Sequence, residues 1–401
     1  MPSLDPPIVL LGSDCLTGLQ MARILWRRSV CVIGVADDAQ SHGARSRSVM
    51  RTEPARVLRE DPGGWMESLS MELGTRPVVL ACTDEFVWWL SDHRRVIERH
   101  ADLLLPPAEL LSRLGDKSRF YRYAMREGME LPDTRFASSE ADLVAATRDM
   151  RFPVYLKPPR RTREWMQATG DRKVLRIEDG TTLVRQGLAL LPTVDELIVQ
   201  AAVRGPDSNM YSLYFCADRE SRVLAALVAR KLRQWPPEIG SGSLAVEVDE
   251  QGLREQGLAF MTKLGYVGIG SLQVKRDEID GRFYLIEINA GRATLNLPLC
   301  EASGVAMAYT YHCAAAGLPL PPDRIVTRPG SKWICWRRDV ASALTHLRRG
   351  DLTLTGWLRS LRGIGWSADI RFEDPLPFHA DMVRLLARIL RRRRAASNRM
   401  T

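Results

Sequence analysis

The chain has 401 residues, 45% hydrophobic and 26% charged, an ordinary globular composition with length enough for two or three domains. No apolar run approaches the ~18 residues that span a bilayer, and the start, MPSLDPPIVLLGSD, has no basic segment before its short apolar one; both argue against a spanning helix or a secretory leader and for a cytoplasmic protein. The net charge of +9 is carried wholly by residues 330 to 401, with 15 Lys/Arg against 6 Asp/Glu, so the expectation is a neutral body with one basic appendage rather than a nucleic-acid-coated surface.

In chain order, residues 8 to 37 read as strand, Gly/Ser turn, helix and second strand, with Leu19, Ala22, Ile24 and Leu25 on the apolar helix face. PVVLACTDEFVWWLSDHRRVI, from Pro77, repeats strand, acidic turn and helix, which makes residues 1–106 a doubly wound α/β domain. Gly12 and Gly18 do not form GxGxxG, so no dinucleotide site is inferred there. After the break at Leu105 to Pro107, GDKSRFYRYAMREGMELPDT predicts a helix capped by Asp116 and ended by Gly128. FPVYLKPP, from Phe152, is a short buried strand stopped by prolines; ELIVQAAVRGPD, NMYSLYFCAD and RVLAALVARKLRQWPP are strand-rich. A helix near Glu255 to Lys263 leads into YVGIGSLQVKRDEIDGRFYLIEINAGR, a hairpin around Asp280-Gly281.

The seven cysteines are scattered without a CxxC and the six histidines lack metal-ligand spacing, so both read as packing residues, His312 within a helix among them. Near the C-terminus, Asp381 to Arg394 puts Met382, Leu385, Leu386, Ile389 and Leu390 on one helical stripe flanked by Arg384, Arg388 and Arg391. Such a helix suits an anionic membrane surface or packing against the body. Trp333, Trp336, Trp357 and Trp366 point to a packed subdomain in the same region.

YLIEINAGR, Tyr284 to Arg292, is the candidate for chemistry, with a strand end reaching solvent, Glu287 and Asn289 merely hydrated, as the alternative. Simple alternation places Tyr284, Ile286 and Ile288 on one side of the strand and Leu285, Glu287 and Asn289 on the other. Glu287 and Asn289 then offer oxygen to a hard cation such as Mg²⁺, and the hairpin brings Gln273 roughly opposite Glu287 as a third donor. Lys157 follows the apolar run Val154-Tyr155-Leu156, where a buried ammonium is costly unless an anion meets it. Lys117 stands at a helix start, where the dipole disfavours a cation without another partner. Snorkelling for Lys157 and a surface role for Lys117 are the alternatives.

The order of these motifs, DK before a helix, PVYLKP on a strand, IVQ-x-x-V-x-G, and a hairpin ending in EIN-x-x-R, resembles the ATP-grasp superfamily. Within it the chain is similar to predicted carboxylate–amine ligases of the D-aspartate ligase kind, and RKLRQWPPEIGSGS, Arg230 to Ser243, adds to that likeness. The resemblance implies α/β and α+β architecture: an N-terminal pre-ATP-grasp domain (1–106), a small lobe (107–203), a large lobe with the metal hairpin (204–329) and a basic C-terminal extension (330–401). It assigns Lys117 and Lys157 to the phosphates of ATP. Gln200, Ala201, Ala202 and Val203 fall in the segment that reads adenine, with Asp207 as the ribose contact. Gln273, Glu287 and Asn289 become ligands of Mg²⁺, or of Mn²⁺. Arg292 stabilises the transferred phosphoryl group, and Arg230 and Lys231 face phosphate or the acceptor carboxylate.

The implied activity is ATP-dependent ligation of a carboxylate to an amine through an acyl phosphate, releasing ADP and phosphate, with an amino acid as one partner. Three departures are visible: Ala201 where relatives carry Glu, Gln273 where a carboxylate is common, and PPRRTREWMQATGDRK after Lys157 in place of a glycine-rich phosphate loop, with Arg160, Arg161 and Lys173 as candidate substitutes. They sustain a second reading, a non-catalytic nucleotide-binding sensor or scaffold. The basic C-terminal helix implies peripheral contact with an anionic membrane or an envelope precursor; nucleic acid is not an expected partner.

Overall fold

The computed structural model describes residues 5–38, 41, 43–325 and 328–384. Four short strands, β1 (Ile8–Leu11), β2 (Val32–Ala36), β3 (Arg51–Pro54) and β4 (Val78–Ala81), form a parallel sheet in the order β3-β2-β1-β4. β1, β2 and β4 are buried along their whole length, as parallel strands covered on both faces must be. The helix Leu16–Arg27, which joins β1 to β2, buries Leu19, Ala22, Ile24 and Leu25.

A second, antiparallel sheet comprises β5 (Thr134–Ala137), β6 (Val154–Lys157), β7 (Leu175–Ile177) and β8 (Leu197–Ala201), ordered β5-β8-β6-β7. Its helices Glu140–Asp149 and Gly180–Leu190 close a separate core around Trp165, Leu143, Leu183 and Val199. The third sheet has seven strands: β9 (Met210–Ala217), β10 (Val223–Trp235), β11 (Ser241–Glu247), β12 (Gly268–Arg276), β13 (Phe283–Ala290), β14 (Lys332–Ile334) and β15 (Ile364–Ser367). Their order is β13-β12-β9-β10-β11-β14-β15, so strands of the C-terminal segment extend the sheet that carries the EIN motif. The helices Ala108–Gly115 and Lys117–Arg126 pack on this sheet, with Phe120, Tyr121 and Ala124 in one core with Leu213, Leu272 and Leu285.

The first and third sheets share a core. Ile8, Leu10 and Val78 pack in one cluster with Tyr214, Leu227, Trp333 and Trp366. Polar contacts fasten the same joint: the Tyr311 hydroxyl donates to Val79 O (2.7 Å), Gln20 Nε2 to Leu295 O (2.7 Å), and the Trp333 indole to Gln20 Oε1 (2.8 Å). All cysteines are free, and His312 is buried with Nε2 2.8 Å from Pro6 O. Residues 376–384 are helical; the remainder of the basic helix expected over Asp381 to Arg394 lies outside the described residues.

β13 departs from simple alternation. Gln273 pairs with Glu287 and Ser271 with Asn289, but the next pair is Val274 with Leu285, which leaves Ile286 as an extra residue in a β-bulge. Cross-strand partners share a face, so Glu287 goes with Gln273 while Leu285 turns to the opposite face with Val274. The expectation that Leu285 and Glu287 share a side is thereby corrected. The Tyr121 hydroxyl donates to the Ile286 carbonyl (2.6 Å), so the group displaced by the bulge is satisfied. The bulge lets a fully buried Leu285 and a cleft-facing carboxylate stand two residues apart.

Candidate functional site

The site lies where the second sheet faces the third. Lys157, the last residue of β6, is 7% exposed, and its ammonium donates to Gln200 Oε1 (2.5 Å). Gln200 Nε2 in turn donates to Thr134 Oγ1 (2.9 Å), and that hydroxyl donates to Pro132 O (2.6 Å), so the lysine is held from behind by a satisfied polar chain. Burial lowers the Lys157 pKa to about 7, with nearby Lys117 acting in the same direction and Glu287 opposing both. A lysine held this way carries an unmet demand for negative charge. Lys117 opens its helix behind Asp116, whose side chain accepts from Arg119 N, and the Lys117 N–H donates to Pro159 O (2.9 Å), tying the helix start to the loop after Lys157.

Glu287 is half-buried and makes no hydrogen bond or ion pair with a described residue, yet its charge acts on Lys157, Lys173 and Lys231. Lys231 is 6% exposed; burial lowers its pKa, and Glu287 and Asp207 oppose that shift. Its ammonium donates to Gln234 Oε1 (2.9 Å). Arg230, the preceding residue on β10, pairs with Tyr211 and so lies on the face away from Lys231; its Nε donates to Ser208 O (2.5 Å). The structure thus brings Lys157, Lys231, Gln273 and Glu287 together and leaves Arg230 outside that group.

Asn289 and Arg292 are coupled: Arg292 Nη2 donates to Asn289 Oδ1 (2.7 Å), and Asn289 Nδ2 donates to Ser271 Oγ (3.3 Å). Arg292 Nε donates to Asp84 Oδ1 (2.5 Å) in the acidic turn after β4, and Arg292 forms a parallel bridge with Ala81. Burial opposes the Asp84 charge, but the field and hydrogen bond of Arg292, with Arg161 and Lys117 further off, hold its pKa below the usual value. The Ala290-Gly291 break has a steric cause. Gly291 has φ +70°, and a Cβ there would meet Leu105 Cδ1 at 2.7 Å.

At the junction between lobes, the N–H groups of Ala201 and Ala202 donate to Asp133 O (2.8 Å) and Pro153 O (3.0 Å). The Ala202 carbonyl and the Val203 N–H have no partner among the described residues, which leaves one acceptor and one donor side by side. Arg204 is clamped on Asp277, Nε at 3.0 and 2.9 Å from its two oxygens, and a pocket of about 230 Å³ is lined by Ala201 to Arg204, Asp277 and Tyr284. Asp207 accepts from Gln234 Nε2 (2.8 Å) and Glu238 N (3.0 Å), so in this structure its carboxylate holds the β10–β11 loop.

The donors around Glu287 fit a hard cation in part: one unpaired carboxylate and the Gln273 amide across the ladder, with Asn289 one pleat along, its Oδ1 accepting from Arg292 in this structure. Among the described residues there is no cluster of three or more His, Cys, Asp or Glu. Sequence reasoning missed Asp84 and Tyr121: the first was visible only as an acidic turn, and the second carries no motif.

No family model matches the chain. It is 25% identical over 221 residues to D-aspartate ligase of Enterococcus faecium (strain Aus0004), which covers 53% of this chain and 52% of the ligase. The chain thus spans about half the length of that relative. Among solved structures, N5-carboxyaminoimidazole synthetase of Staphylococcus aureus complexed with ADP superposes with a TM-score of 0.62 at 11% identity, covering 83% of this chain and 82% of that one. The biotin carboxylase domain of Hydrogenobacter thermophilus 2-oxoglutarate carboxylase, in complex with MgADP, ADP and bicarbonate, gives 0.60 at 14% identity, covering 82% and 74%. The chain has the ATP-grasp fold and, within it, resembles the carboxylate–amine ligases.

Proposed function

We propose that this protein joins a carboxylate to an amine at the expense of ATP. A carboxylate oxygen attacks the γ-phosphorus, the bond to the β-phosphate oxygen breaks, and ADP leaves an acyl phosphate. The amine then attacks the acyl carbon, phosphate departs with its oxygen, and the amine nitrogen loses a proton. Neither step requires an enzyme nucleophile; both require alignment and cancellation of charge. Lys157 and Lys117 hold the phosphates, Arg292, steadied by Asp84, meets charge on the phosphoryl group, and Lys231 orients the acceptor carboxylate or phosphate. The Ala202 carbonyl and Val203 N–H meet the adenine edge. Glu287, Gln273 and Asn289 would hold Mg²⁺ or Mn²⁺, which supplies charge neutralisation on the phosphates when bound.

The observation that carries this reading is the pairing, across two sheets, of a buried lysine lacking an anion with a carboxylate lacking a cation. The test is ADP and phosphate release with Mg²⁺, screening amino acids, aspartate first, against amines and ammonia. Stoichiometric ADP, phosphate and amide that vanish in Lys157→Met support the ligase. ATP binding without turnover for any pair favours the second reading, a nucleotide-binding scaffold, for which the single carboxylate at the cation site speaks.

The same reading keeps the enzyme in the cytoplasm, with its basic end touching an anionic membrane or envelope precursor. Its support is the charge excess of residues 330 to 401. Removing the chain after Phe378 should abolish binding to phosphatidylglycerol vesicles, and undiminished binding would contradict it.

A further inference from the structure

β13 is an edge strand, with no strand beyond it among the described residues. At its bulge the outer main-chain partners come instead from the helix Lys117–Arg126 and the segment that follows. The Tyr121 hydroxyl donates to Ile286 O (2.6 Å), and Leu285 N donates to Glu130 O (2.8 Å). The carbonyl that Tyr121 holds belongs to the planar peptide joining Ile286 to Glu287. Anchoring that plane fixes the direction in which the Glu287 side chain leaves the strand.

The same tyrosine reaches the other half of the site. Its ring centroid lies 5.8 Å from Lys157 Nζ, within cation–π range. Lys117 stands one helical turn before it, on the same helix face. The next residue, Arg122, fastens the helix to the second sheet: its Nη1 and Nη2 each donate to a Glu196 oxygen (2.8 Å), immediately ahead of the strand that carries Gln200. Tyr121 is 0% exposed; burial raises the pKa of its hydroxyl, the Glu287 charge raises it further and Gln200 opposes both, so the phenol keeps its proton and serves as a donor. One buried side chain thus touches the bulge on the third sheet and the lysine on the second.

On the ligase reading, we propose that Tyr121 is a positioning residue: its hydroxyl aims Glu287 so that the carboxylate and the Lys157 ammonium address one metal-bound nucleotide. Removing the hydroxyl alone leaves Lys157, its Gln200 brace and the ring against it in place, and frees only the peptide ahead of Glu287. The defect expected is in the use of the divalent cation, not in capture of the phosphates by the lysine.

The experiment is calorimetric titration of the full-length protein with ATP at a series of Mg²⁺ concentrations, for wild type, Tyr121→Phe and Tyr311→Phe. Tyr311 is the control: it too is buried and its hydroxyl donates to a main-chain oxygen, Val79 O, but in the joint between the first and third sheets. Tyr121→Phe should raise the Mg²⁺ concentration for half-maximal ATP binding fivefold or more and leave the ATP Kd in saturating Mg²⁺ within threefold. Tyr311→Phe should lower the thermal midpoint and leave the Mg²⁺ requirement unchanged. In a Glu287→Gln background Tyr121→Phe should have no further effect on ATP binding, because the hydroxyl acts through that carboxylate. An unchanged Mg²⁺ requirement in folded Tyr121→Phe overturns the proposal, as does an equal rise in Tyr311→Phe or a further loss of binding in the Glu287→Gln background. Folded wild type that binds no ATP at any Mg²⁺ concentration overturns the ligase reading itself, and the role of Tyr121 with it.

Discussion

Lys157 shows how a single side chain reports a ligand. Its ammonium sits at the end of an apolar strand, braced by Gln200, and burial brings its pKa to about 7. Between about pH 7 and its ordinary 10.5 the free protein holds it neutral, and an arriving triphosphate favours the charged form. Nucleotide binding at pH 8 should therefore take up close to one proton, measured as the difference in calorimetric heat between buffers of unlike ionisation enthalpy, and affinity should fall as pH rises above 7. Lys157→Met should remove the proton uptake and weaken binding at least a hundredfold; binding without proton uptake would mean the lysine does not meet phosphate. Gln273, opposite Glu287, allows a gain of function. Gln273→Glu adds a charge beside the cation and should lower the Mg²⁺ concentration required for nucleotide binding several-fold, read from Mg²⁺ titrations at fixed ATP. These residues were legible in the sequence because each breaks a local pattern: a lysine after Val-Tyr-Leu, a carboxylate and an amide in a strand. Asp84 was not, because what makes it notable is Arg292, a neighbour 208 residues away.

Among the strands and turns, the β13 bulge decides the chemistry. Period-two alternation predicted the hairpin and its Gln273–Glu287 register, but it could not reveal that Ile286 is extra, since a bulge depends on how the partner strand and Tyr121 engage it. Deleting Ile286 should move Leu285 out of its core or Glu287 out of the cleft, and either outcome should abolish nucleotide binding. Gly291 is a second test. Its positive φ and the 2.7 Å approach to Leu105 make Gly291→Ala costly by about 2–4 kcal/mol, from the left-handed backbone and overpacking together. Urea unfolding should register that loss, and an unchanged midpoint would show that the turn has another conformation available.

The described part of the C-terminal segment is built into the third sheet rather than attached beside it. The first and third sheets share a core, and the C-terminal segment supplies β14 and β15 to the sheet that carries Glu287. Its excess of tryptophans predicted packing; Trp333 and Trp366 are buried, while Trp336 and Trp357 are half-buried. The strand addition itself was not legible, because three- and four-residue strands such as Lys332–Ile334 and Ile364–Ser367 leave almost no periodic pattern. The joint turns on the Arg233–Asp339 pair, 8% and 0% exposed. Asp339→Ala leaves a buried guanidinium without its anion and should destabilise the protein by about 3–5 kcal/mol. Thermal unfolding would detect this, and an unchanged midpoint would place the segment outside the cooperative unit.

The binding predictions depend on one claim, that the second and third sheets close on MgATP between Lys157 and Glu287. The most direct test is calorimetric titration of the folded protein with ATP, in excess Mg²⁺ and again in chelator, for wild type and for Glu287→Gln and Lys157→Met. The account predicts Mg²⁺-dependent binding by wild type, loss of the Mg²⁺ dependence in Glu287→Gln and loss of binding in Lys157→Met. Binding of equal strength in all three proteins, or no binding by wild type, would contradict it.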